Sequence, residues 1–357
     1  MSSNYIIIGG GVVGCAAALE LAQHGAGVTI LEQGRIGSES SWAGGGILSP
    51  LLPWDYQEPV TRLTQWSAAL YPEWITSLLA ATGINPEYQV SGMLVLPEFD
   101  LNKAIDWSHK NELQVEQVTA RNLVLELGLD VPALWLPEVS QVRNPRLMSA
   151  LVKRLALAGV RVLENIKVTD FEREGNKISG VNTSQGQFSG EQFIVSGGAW
   201  SKQVLGDLAP TLPIRPIRGQ MLLFKLKPGE LAHIVLQNGI YLIPRQDGHI
   251  LVGSTLEDVG FDKSTTQDAA KLLHVAAARI FPRLAQENPV LHWAGLRPGS
   301  PDNIPVIARH PAIENLYVNS GHFRYGVTMA QGSARLLCNM LLDRPQPFDV
   351  SPYKWPE

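Results

Sequence analysis

The sequence has 357 residues, of which 45% are hydrophobic and 17% charged, with a formal net charge of −4. This composition favours a large buried core over a disordered chain, and the small net charge argues against nucleic acid or an anionic membrane as a partner. The two cysteines, Cys15 and Cys338, give no disulfide framework or zinc spacing and are typical of a reducing cytoplasm. The histidines show no ligand spacing, so we expect no metal. The apolar stretch 5–21 follows no Lys or Arg and contains three consecutive glycines, so it does not resemble a signal peptide, and no stretch is long enough to span a bilayer.

The first predicted unit is a strand, a tight turn, a helix and a second strand. Residues 5–8 form an apolar run, three glycines follow, and the helical pattern of residues 12–24 ends at Gly25. The β-branched run 28–31 then ends at Glu32. Residues 38–49 are small and irregular, and a helix is predicted for about 60–83.

The rest of the chain alternates between strands and helices. A variable section, 86–142, includes a short strand at 93–96, and a helix at 145–158 precedes a strand at 160–163. Residues 168–193 alternate like antiparallel strands, and 193–196 form another strand. Further strands are predicted at 221–224, 239–244, 249–253 and 316–320, with helices at 266–280 and 327–342 and a loop at 293–305. This order indicates a chain that leaves and re-enters two domains.

The turn Gly9-x-Gly11-x-x-Gly14 predicts a dinucleotide site. The first glycine permits the turn, the second lets the backbone approach a pyrophosphate, and the third lets helix and strand pack closely. Glu32, at the end of the second strand, can accept hydrogen bonds from ribose hydroxyls and would repel the 2′-phosphate of NADP. The fingerprint alone leaves NAD and FAD both open.

The segment 39–47 places two serines and three consecutive glycines after the strand that ends at Glu32. Such glycines let backbone lie against a large planar ligand, and the serines offer hydrogen-bond donors. A mobile surface loop is an equally good interpretation of these residue types.

Five motifs in the same order resemble the FAD-dependent D-amino acid oxidase superfamily, and most closely the glycine oxidases of thiamine biosynthesis. Besides the N-terminal fingerprint, they are the segments 40–47, 197–201, 241–245 with 253–255, 295–298 and 321–326. The resemblance covers almost the whole chain. It implies an α/β FAD-binding Rossmann-type domain, similar to that of glutathione reductase, plus an α+β substrate domain with an antiparallel sheet. The expected FAD domain is discontinuous, 1–85, 145–215 and 290–357, and the substrate domain comprises 86–144 and 216–289.

The resemblance also decides for FAD. Sarcosine oxidases attach their flavin through a cysteine that would fall near Gly295, where this chain has none, so we expect non-covalent FAD. The last helix is expected to direct its N-terminus at the flavin. The residues expected to contact FAD are Gly9, Gly11, Val12, Val13, Gly14, Glu32, Gln33, Ser40, Ser41, Trp42, Ala43, Gly45, Gly46, Ile47, Val168, Gly197, Ala199, Trp200, Gly295, His322, Phe323, Arg324, Tyr325, Gly326, Val327 and Thr328.

For the substrate, the resemblance makes Arg297 the anchor of the carboxylate, since a guanidinium binds a carboxylate in bidentate fashion. Tyr241 would add a hydroxyl, although a half-buried strand tyrosine is an equal alternative, and Arg324 would lie over the flavin and substrate. Leu256 and Gly239 are expected to set pocket size. His322 is either a donor at the flavin edge or a packed, hydrogen-bonded histidine.

The implied reaction is oxidative deamination of glycine, small amines or D-amino acids, in which hydride passes from substrate to flavin. The imine hydrolyses to an oxo-acid and ammonia, and dioxygen is reduced to hydrogen peroxide. Supply of the product to thiamine thiazole synthesis is a use that the resemblance implies. A dehydrogenase that uses a quinone or another acceptor is the alternative, and a non-enzymatic flavin module is a third. We expect a cytoplasmic enzyme, a homo-oligomer by resemblance, with no nucleic-acid or membrane partner.

Overall fold

A computed structural model describes residues 4–125, 127 and 130–355. The expected domain ends at residues 1 and 357 lie outside this range. The strands are β1 (Asn4–Ile8), β2 (Gly27–Leu31), β3 (Gln89–Val90), β4 (Met93–Val95), β5 (Glu116–Thr119), β6 (Pro132–Leu136), β7 (Ser140–Gln141), β8 (Arg161–Leu163), β9 (Val168–Glu174), β10 (Lys177–Thr183), β11 (Gly186–Ser189), β12 (Gln192–Val195), β13 (Arg215–Lys225), β14 (Ile234–Gln237), β15 (Ile240–Pro244), β16 (His249–Gly253), β17 (Leu291–Gly299), β18 (Val306–Arg309) and β19 (Leu316–Ser320).

The helices include the four that cover one face of the N-terminal sheet and one that covers the second sheet. They are α1 (Val12–Gln23), α2 (Ser40–Ala43), α3 (Glu58–Thr82), α4 (Leu101–Asn111), α5 (Ala120–Leu123), α6 (Asn144–Leu157), α7 (Ser201–Leu205), α8 (Gln267–Ile280) and α9 (Gly326–Leu341).

The first sheet has the order β18-β19-β12-β1-β2-β8, and all its neighbours run parallel except β18 and β19. Side chains of α1, α3, α6 and α9 form a core with one face of this sheet, through residues such as Ile7 and Ile30. The opposite face, through Ile6 and Phe193, packs against the antiparallel sheet of β9, β10 and β11. Because these strands are buried on both faces, they appear in the sequence as continuous apolar runs.

The second sheet has the order β17-β13-β16-β15-β14-β4-β6-β5 and is antiparallel except for the pair β4 and β14. Alternate residues point to opposite faces, as expected for a strand. Leu222 and Phe224 pack with Leu273 of α8, whereas Met221 packs with Tyr241 on the other face. That other face contributes part of the wall of the cavity described below.

The predicted fold class is confirmed, but the predicted loop at 293–305 is wrong. Residues 291–299 form β17, which pairs with β13 from Arg215↔Gly299 to Leu223↔Leu291. Gly295, Pro298 and Gly299 make the segment look like a loop in the sequence, yet β17 lies at the edge of its sheet, where a strand tolerates proline.

The helix α2, the length of β13 and the sheet that contains β17 also differ from expectation. Residues 40–43 form the short helix α2 within the stretch predicted as irregular, and β13 is longer than the predicted 221–224. Pairing places β17 in the second sheet, although the predicted boundary assigned residues from 290 onwards to the FAD domain. The domain boundaries themselves stay a prediction.

Candidate functional site

A large cavity lies between the carboxyl edge of the parallel sheet and the free face of the second sheet. The turn after β1, the residues that follow β2 and β12, and the end of β19 contribute one wall. Residues of β15 and β17, and Ser254 after β16, contribute the other. Open α/β sheets bind ligands at this edge, because loops there diverge and leave a crevice.

Most of the residues expected from the sequence line this cavity. They are Gly9, Gly11, Val12, Val13, Glu32, Gln33, Ser40, Ser41, Gly45, Gly46, Ile47, Val168, Gly197, Trp200, Tyr241, Arg297, His322, Phe323, Arg324, Tyr325, Gly326, Val327 and Thr328.

The glycine turn has the geometry that the fingerprint requires. Gly9 has φ +112°, a conformation that side chains rarely adopt, and a Cβ there would lie 2.4 Å from the Ser196 carbonyl oxygen. A Cβ on Gly14 would lie 2.1 Å from the Gly9 carbonyl oxygen, so only glycine lets α1 approach the turn. Gly14 therefore acts in packing behind the cavity wall. Helix α1 begins at Val12, and its N-terminal backbone faces the cavity.

Glu32 is buried, and its carboxylate is held by two backbone groups. The Gly10 N–H donates to Oε2 at 2.7 Å, and the Gly34 N–H donates to Oε1 at 2.9 Å. Burial raises the pKa of Glu32, while these two hydrogen bonds act in the opposite direction. The remaining acceptor positions of the carboxylate face the cavity, where ribose hydroxyls can donate to them.

The segment 39–47 forms a wall of the cavity. The Val12 N–H donates to Ser41 Oγ at 2.8 Å, and Thr328 Oγ1 donates to the Ile47 carbonyl at 3.0 Å, which ties the segment to α1 and α9. Gly45 packs on the second sheet, since a Cβ there would lie 2.7 Å from Cδ1 of Ile243. Of the two interpretations left open by the sequence, these contacts favour the ligand-facing wall.

Trp42, Ala43 and Gly295, all expected to contact FAD, do not line the cavity and instead join α2 to β17. The Trp293 Nε1–H donates to the Ala43 carbonyl at 3.1 Å, and the rings of Trp42 and Trp293 lie 5.6 Å apart. A Cβ on Gly295 would lie 2.7 Å from that of Ala43. The structure therefore shows Ala43 and Gly295 in packing contacts and Trp42 at the surface, and their contact with FAD stays a prediction.

Arg297 projects from β17 into the end of the cavity that the second sheet forms. Its Nη2 donates to Ser254 Oγ at 2.6 Å and its Nη1 to the Thr255 carbonyl at 3.3 Å. Burial lowers its pKa, the neighbouring Tyr241 hydroxyl acts in the opposite direction, and the positive charge of Arg324 lowers the pKa further. In the described part of the chain, the carboxylates in the cavity wall are Glu32 and Glu39, and neither is paired with Arg297.

Tyr241 and Arg324 lie at the same end of the cavity. Tyr241 is buried on β15, and its hydroxyl donates to Met221 Sδ at 3.4 Å. Arg324 follows Phe323, whose φ of +41° marks a tight turn before α9. Tyr325 caps α9 without a side-chain capping hydrogen bond, so the helix N-terminus opens on the cavity.

Three other expected residues lie away from the cavity wall. Leu256 follows the turn after β16 and is 58% exposed, while Gly239 occupies the β14–β15 turn with φ +77°. Ala199 is buried beside Trp200. An effect of Leu256 or Gly239 on pocket size finds no support in these positions, and Ser254 occupies the wall instead.

The sequence reasoning missed a set of polar residues in the wall. Asn144 begins α6, Ser196 follows β12, and Asn319 is near the end of β19. Ser196 and Asn319 occupy the carboxyl ends of parallel strands, and that position alone could have identified them. No periodic or motif signal marks Asn144.

Comparisons with known proteins identify the family. A family model described as FAD dependent oxidoreductase matches residues 4–340. The glycine oxidase of Pseudomonas aeruginosa is 42% identical over 99% of this chain and 98% of that protein. The bifunctional protein ThiO/ThiG of Synechocystis sp. is 32% identical over 96% of this chain and 52% of that protein. The crystal structure of glycine oxidase from Geobacillus kaustophilus matches with a TM-score of 0.94 at 26% identity, covering 99% of each chain.

The chain belongs to the FAD-dependent oxidoreductase family. The predicted family and the predicted FAD cofactor are therefore confirmed.

The cavity fits FAD on structural grounds of its own. Buried polar side-chain atoms that have no hydrogen-bond partner cluster in its wall: Ser196 Oγ, both amide atoms of Asn144 and of Asn319, and His322 Nε2. Buried polar groups are nearly always hydrogen-bonded, so this many in one wall indicate a polar ligand. Gly9, α1 and Glu32 would hold the pyrophosphate and adenosine ribose, and α9 would face the flavin.

Covalent attachment of FAD through cysteine is not supported by the cysteine positions. Cys15 donates to the Gly10 carbonyl at 3.3 Å within α1, and Cys338 is buried on α9. Neither thiol lines the cavity. Burial raises the pKa of Cys338 to about 11, so this thiol is a poor nucleophile.

One group of metal-ligating residue types occurs in the described residues, formed by Glu20, His24 and Cys338. Arg335 lies 3.6 Å from the Glu20 carboxylate, and Arg344 contacts His24 Nε2 at 2.5 Å. Two of the three side chains therefore already have an arginine as neighbour. The expectation of no metal stays a prediction.

A search of the described helices for a segment with the length and hydropathy of a membrane span finds none.

Glu32→Gln should weaken FAD binding by about 10- to 100-fold, because the amide nitrogen cannot accept from a backbone N–H or a ribose hydroxyl. The dissociation constant can be measured by titrating apoprotein with FAD and following the quenching of FAD fluorescence. Glu174→Gln, at an exposed position in β9, is the matched control. A dissociation constant within threefold of wild type would contradict the role of Glu32.

His322 should make the apoprotein less stable in acid. Burial lowers its pKa to about 3, whereas a histidine in an unfolded chain has a pKa near 6.5. Below pH 6.5 the unfolded chain therefore binds the proton first, and stability falls as the pH drops towards 3. Between pH 7.5 and pH 5 this group should cost about 2 kcal/mol of unfolding free energy.

His322→Asn should remove that contribution, measured as a smaller difference between urea unfolding free energies at pH 7.5 and pH 5. His109→Asn, at an exposed position in α4, is the matched control. An unchanged difference in the His322 variant would show that another group is responsible.

Proposed function

We propose that this protein oxidatively deaminates glycine and small amines or D-amino acids. The observation that carries the proposal is the Arg297 guanidinium, which faces the cavity beside Tyr241 and has no carboxylate partner among the residues described. A partly buried cation without a counterion is unfavourable, so the site favours an anionic ligand. A carboxylate matches the guanidinium in charge and shape. The glycine oxidase relatives support an amino acid as its source.

In the proposed mechanism, Arg297 binds the substrate carboxylate and Tyr241 supports that end of the site. Orientation is the main contribution of the protein. Because the bound substrate is already held with its Cα–H towards the cofactor, little further translational and rotational entropy is lost on reaching the transition state. FAD, when bound, supplies the acceptor for the two electrons and the hydrogen that leave Cα. Arg324 and the positive end of the α9 helix dipole would stabilise negative charge on the bound flavin. Proton removal from the substrate ammonium leaves the neutral amine that can be oxidised.

The proposed overall reaction balances without a further protein group. The amine loses two electrons and two protons to become an imine, and water converts the imine to an oxo-acid and ammonia. Dioxygen takes up the two electrons and two protons and leaves as hydrogen peroxide. The resemblance to glycine oxidases of thiamine biosynthesis supports use of the product in thiazole synthesis. We also propose non-covalent FAD, a cytoplasmic location and a homo-oligomeric state, with no nucleic-acid or membrane partner.

Anaerobic addition of substrate should bleach the flavin absorbance. Glycine, sarcosine, D-alanine and D-proline differ in size and in N-substitution, so the ones that bleach the yellow protein define the substrate class. In air, an oxidase should form one peroxide per amine consumed. Bleaching without peroxide, followed by reoxidation with a quinone, would favour the dehydrogenase. Absence of bleaching by all four would contradict the proposal and favour a non-enzymatic flavin module.

Arg297→Ala should lower kcat/KM for the best of these substrates by about 10²- to 10³-fold, because a charge-assisted bidentate contact is lost. Stopped-flow measurement of the flavin bleaching gives the same comparison without the oxygen step. Arg279→Ala, on the surface of α8, is the matched control. A kcat/KM within threefold of wild type would reject Arg297 as the anchor.

A further inference from the structure

The Arg297 side chain crosses a neighbouring strand to reach its partners. In the second sheet β13 lies between β17 and β16. Arg297 starts on β17, yet its guanidinium contacts Ser254 Oγ and the Thr255 carbonyl, which follow the end of β16. Neighbouring strands are about 4.8 Å apart, so the side chain must pass over the whole width of β13.

The crossing occurs at Gly219. Arg297 pairs with Ile217 and Gly295 pairs with Gly219, so Gly219 lies diagonally beside Arg297 on the same face of the sheet. A Cβ on Gly219 would lie 1.9 Å from Arg297 Nη1, and 2.4 Å from both Cζ and Nη2. The guanidinium thus occupies the volume of the missing side chain.

The backbone conformation of Gly219 does not require glycine. Gly219 is absent from the residues with positive φ, and it lies inside β13, where it pairs with Gly295 of β17, while the regular ladder with β16 begins two residues later at Met221. Glycine in such a position weakens a strand relative to alanine. The space taken by Arg297 is the feature of the structure that accounts for glycine here.

We propose that Gly219 is the positioning residue for the carboxylate anchor, since only a residue without Cβ lets Arg297 lie across β13 with its guanidinium facing the cavity. The consequence for activity rests on the proposed role of Arg297. With alanine at this position, the guanidinium must leave the strand surface and lose its contacts with Ser254 and Thr255. The protein would keep the charge of Arg297 but present it in the wrong place.

The test is a double-mutant cycle on the FAD-loaded protein, with Gly219→Ala, Arg297→Ala and the double variant. Three quantities are measured: kcat/KM for glycine, the dissociation constant of glycolate from its effect on flavin absorbance, and the melting temperature. Glycolate is used because it keeps the carboxylate of glycine but has no amine to oxidise. Gly180→Ala is the matched control, a strand glycine without positive φ in the antiparallel sheet of β9–β11.

Gly219→Ala should lower kcat/KM at least about tenfold, chiefly through KM, and weaken glycolate by a similar factor. It should also lower the melting temperature when Arg297 is present. In the Arg297→Ala background, the same substitution should change kcat/KM and the glycolate constant by less than about twofold and should no longer lower the melting temperature, because the clash is gone. Gly180→Ala should leave kcat/KM unchanged.

Additive effects of the two substitutions, or a Gly219→Ala variant with wild-type kcat/KM and glycolate binding, would overturn the proposal. If Gly219→Ala fails to fold, recovery of folding in the double variant supports the clash with Arg297, and failure of both overturns it. If Arg297→Ala alone retains wild-type kcat/KM, Arg297 does not bind the substrate carboxylate. The melting temperatures of the four proteins still decide whether Gly219 positions the Arg297 side chain.

Discussion

The antiparallel pairing of β13 with β17 fixes the relation between the two ends of the cavity. It extends over the full length of β17 and holds Arg297 on the second sheet. After β17 the chain enters the first sheet through β18 and β19 and reaches the turn before α9. That turn is fastened back to β17, since the Phe323 N–H donates to the Pro298 carbonyl at 3.0 Å. Arg297, the proposed substrate anchor, and the wall that would face the flavin therefore belong to one hydrogen-bonded unit.

The two ends of the cavity carry opposite charges. Acidic Glu32 lies where β2 ends, held by backbone N–H groups, and offers only acceptors to a ligand. At the other end, Arg297 and Arg324 are close enough for one to affect the pKa of the other. A ligand with donor hydroxyls at one end, and an anion bound at the other, would satisfy both. The same wall contains the unpartnered amides of Asn144 and Asn319, which can both donate and accept.

The part of the site that is built from residues close together in the sequence is predictable from the sequence. The turn at Gly9 and the carboxylate of Glu32 are neighbours of a strand and a helix, so spacing alone places them. Only the resemblance points to Arg297, and its segment looks like a loop in the sequence because glycine and proline dominate it. Whether such a segment becomes an edge strand depends on β13, which is far away in the sequence. The contribution of Asn144 likewise depends on tertiary packing, since its side chain lies against Gly44 and Gly46 from another part of the chain. The position of Leu256 also depends on tertiary structure, through the turn after β16, and its effect on pocket size stays a prediction.

Glycine serves three different physical purposes around this cavity, and the sequence distinguishes them poorly. Gly9 is needed for its backbone conformation, and Gly14 for the contact between helix and turn. Both have sequence neighbours that reveal their role. Gly219 stands between Arg218 and Gln220 in what looks like an ordinary strand, and its partner is a guanidinium from a strand many residues later. A glycine in the interior of a paired strand costs about 0.5–1 kcal/mol relative to alanine. The missing side chain at Gly219 leaves room for a cation, so the strand gives up a little stability to hold the guanidinium that we propose as the substrate anchor.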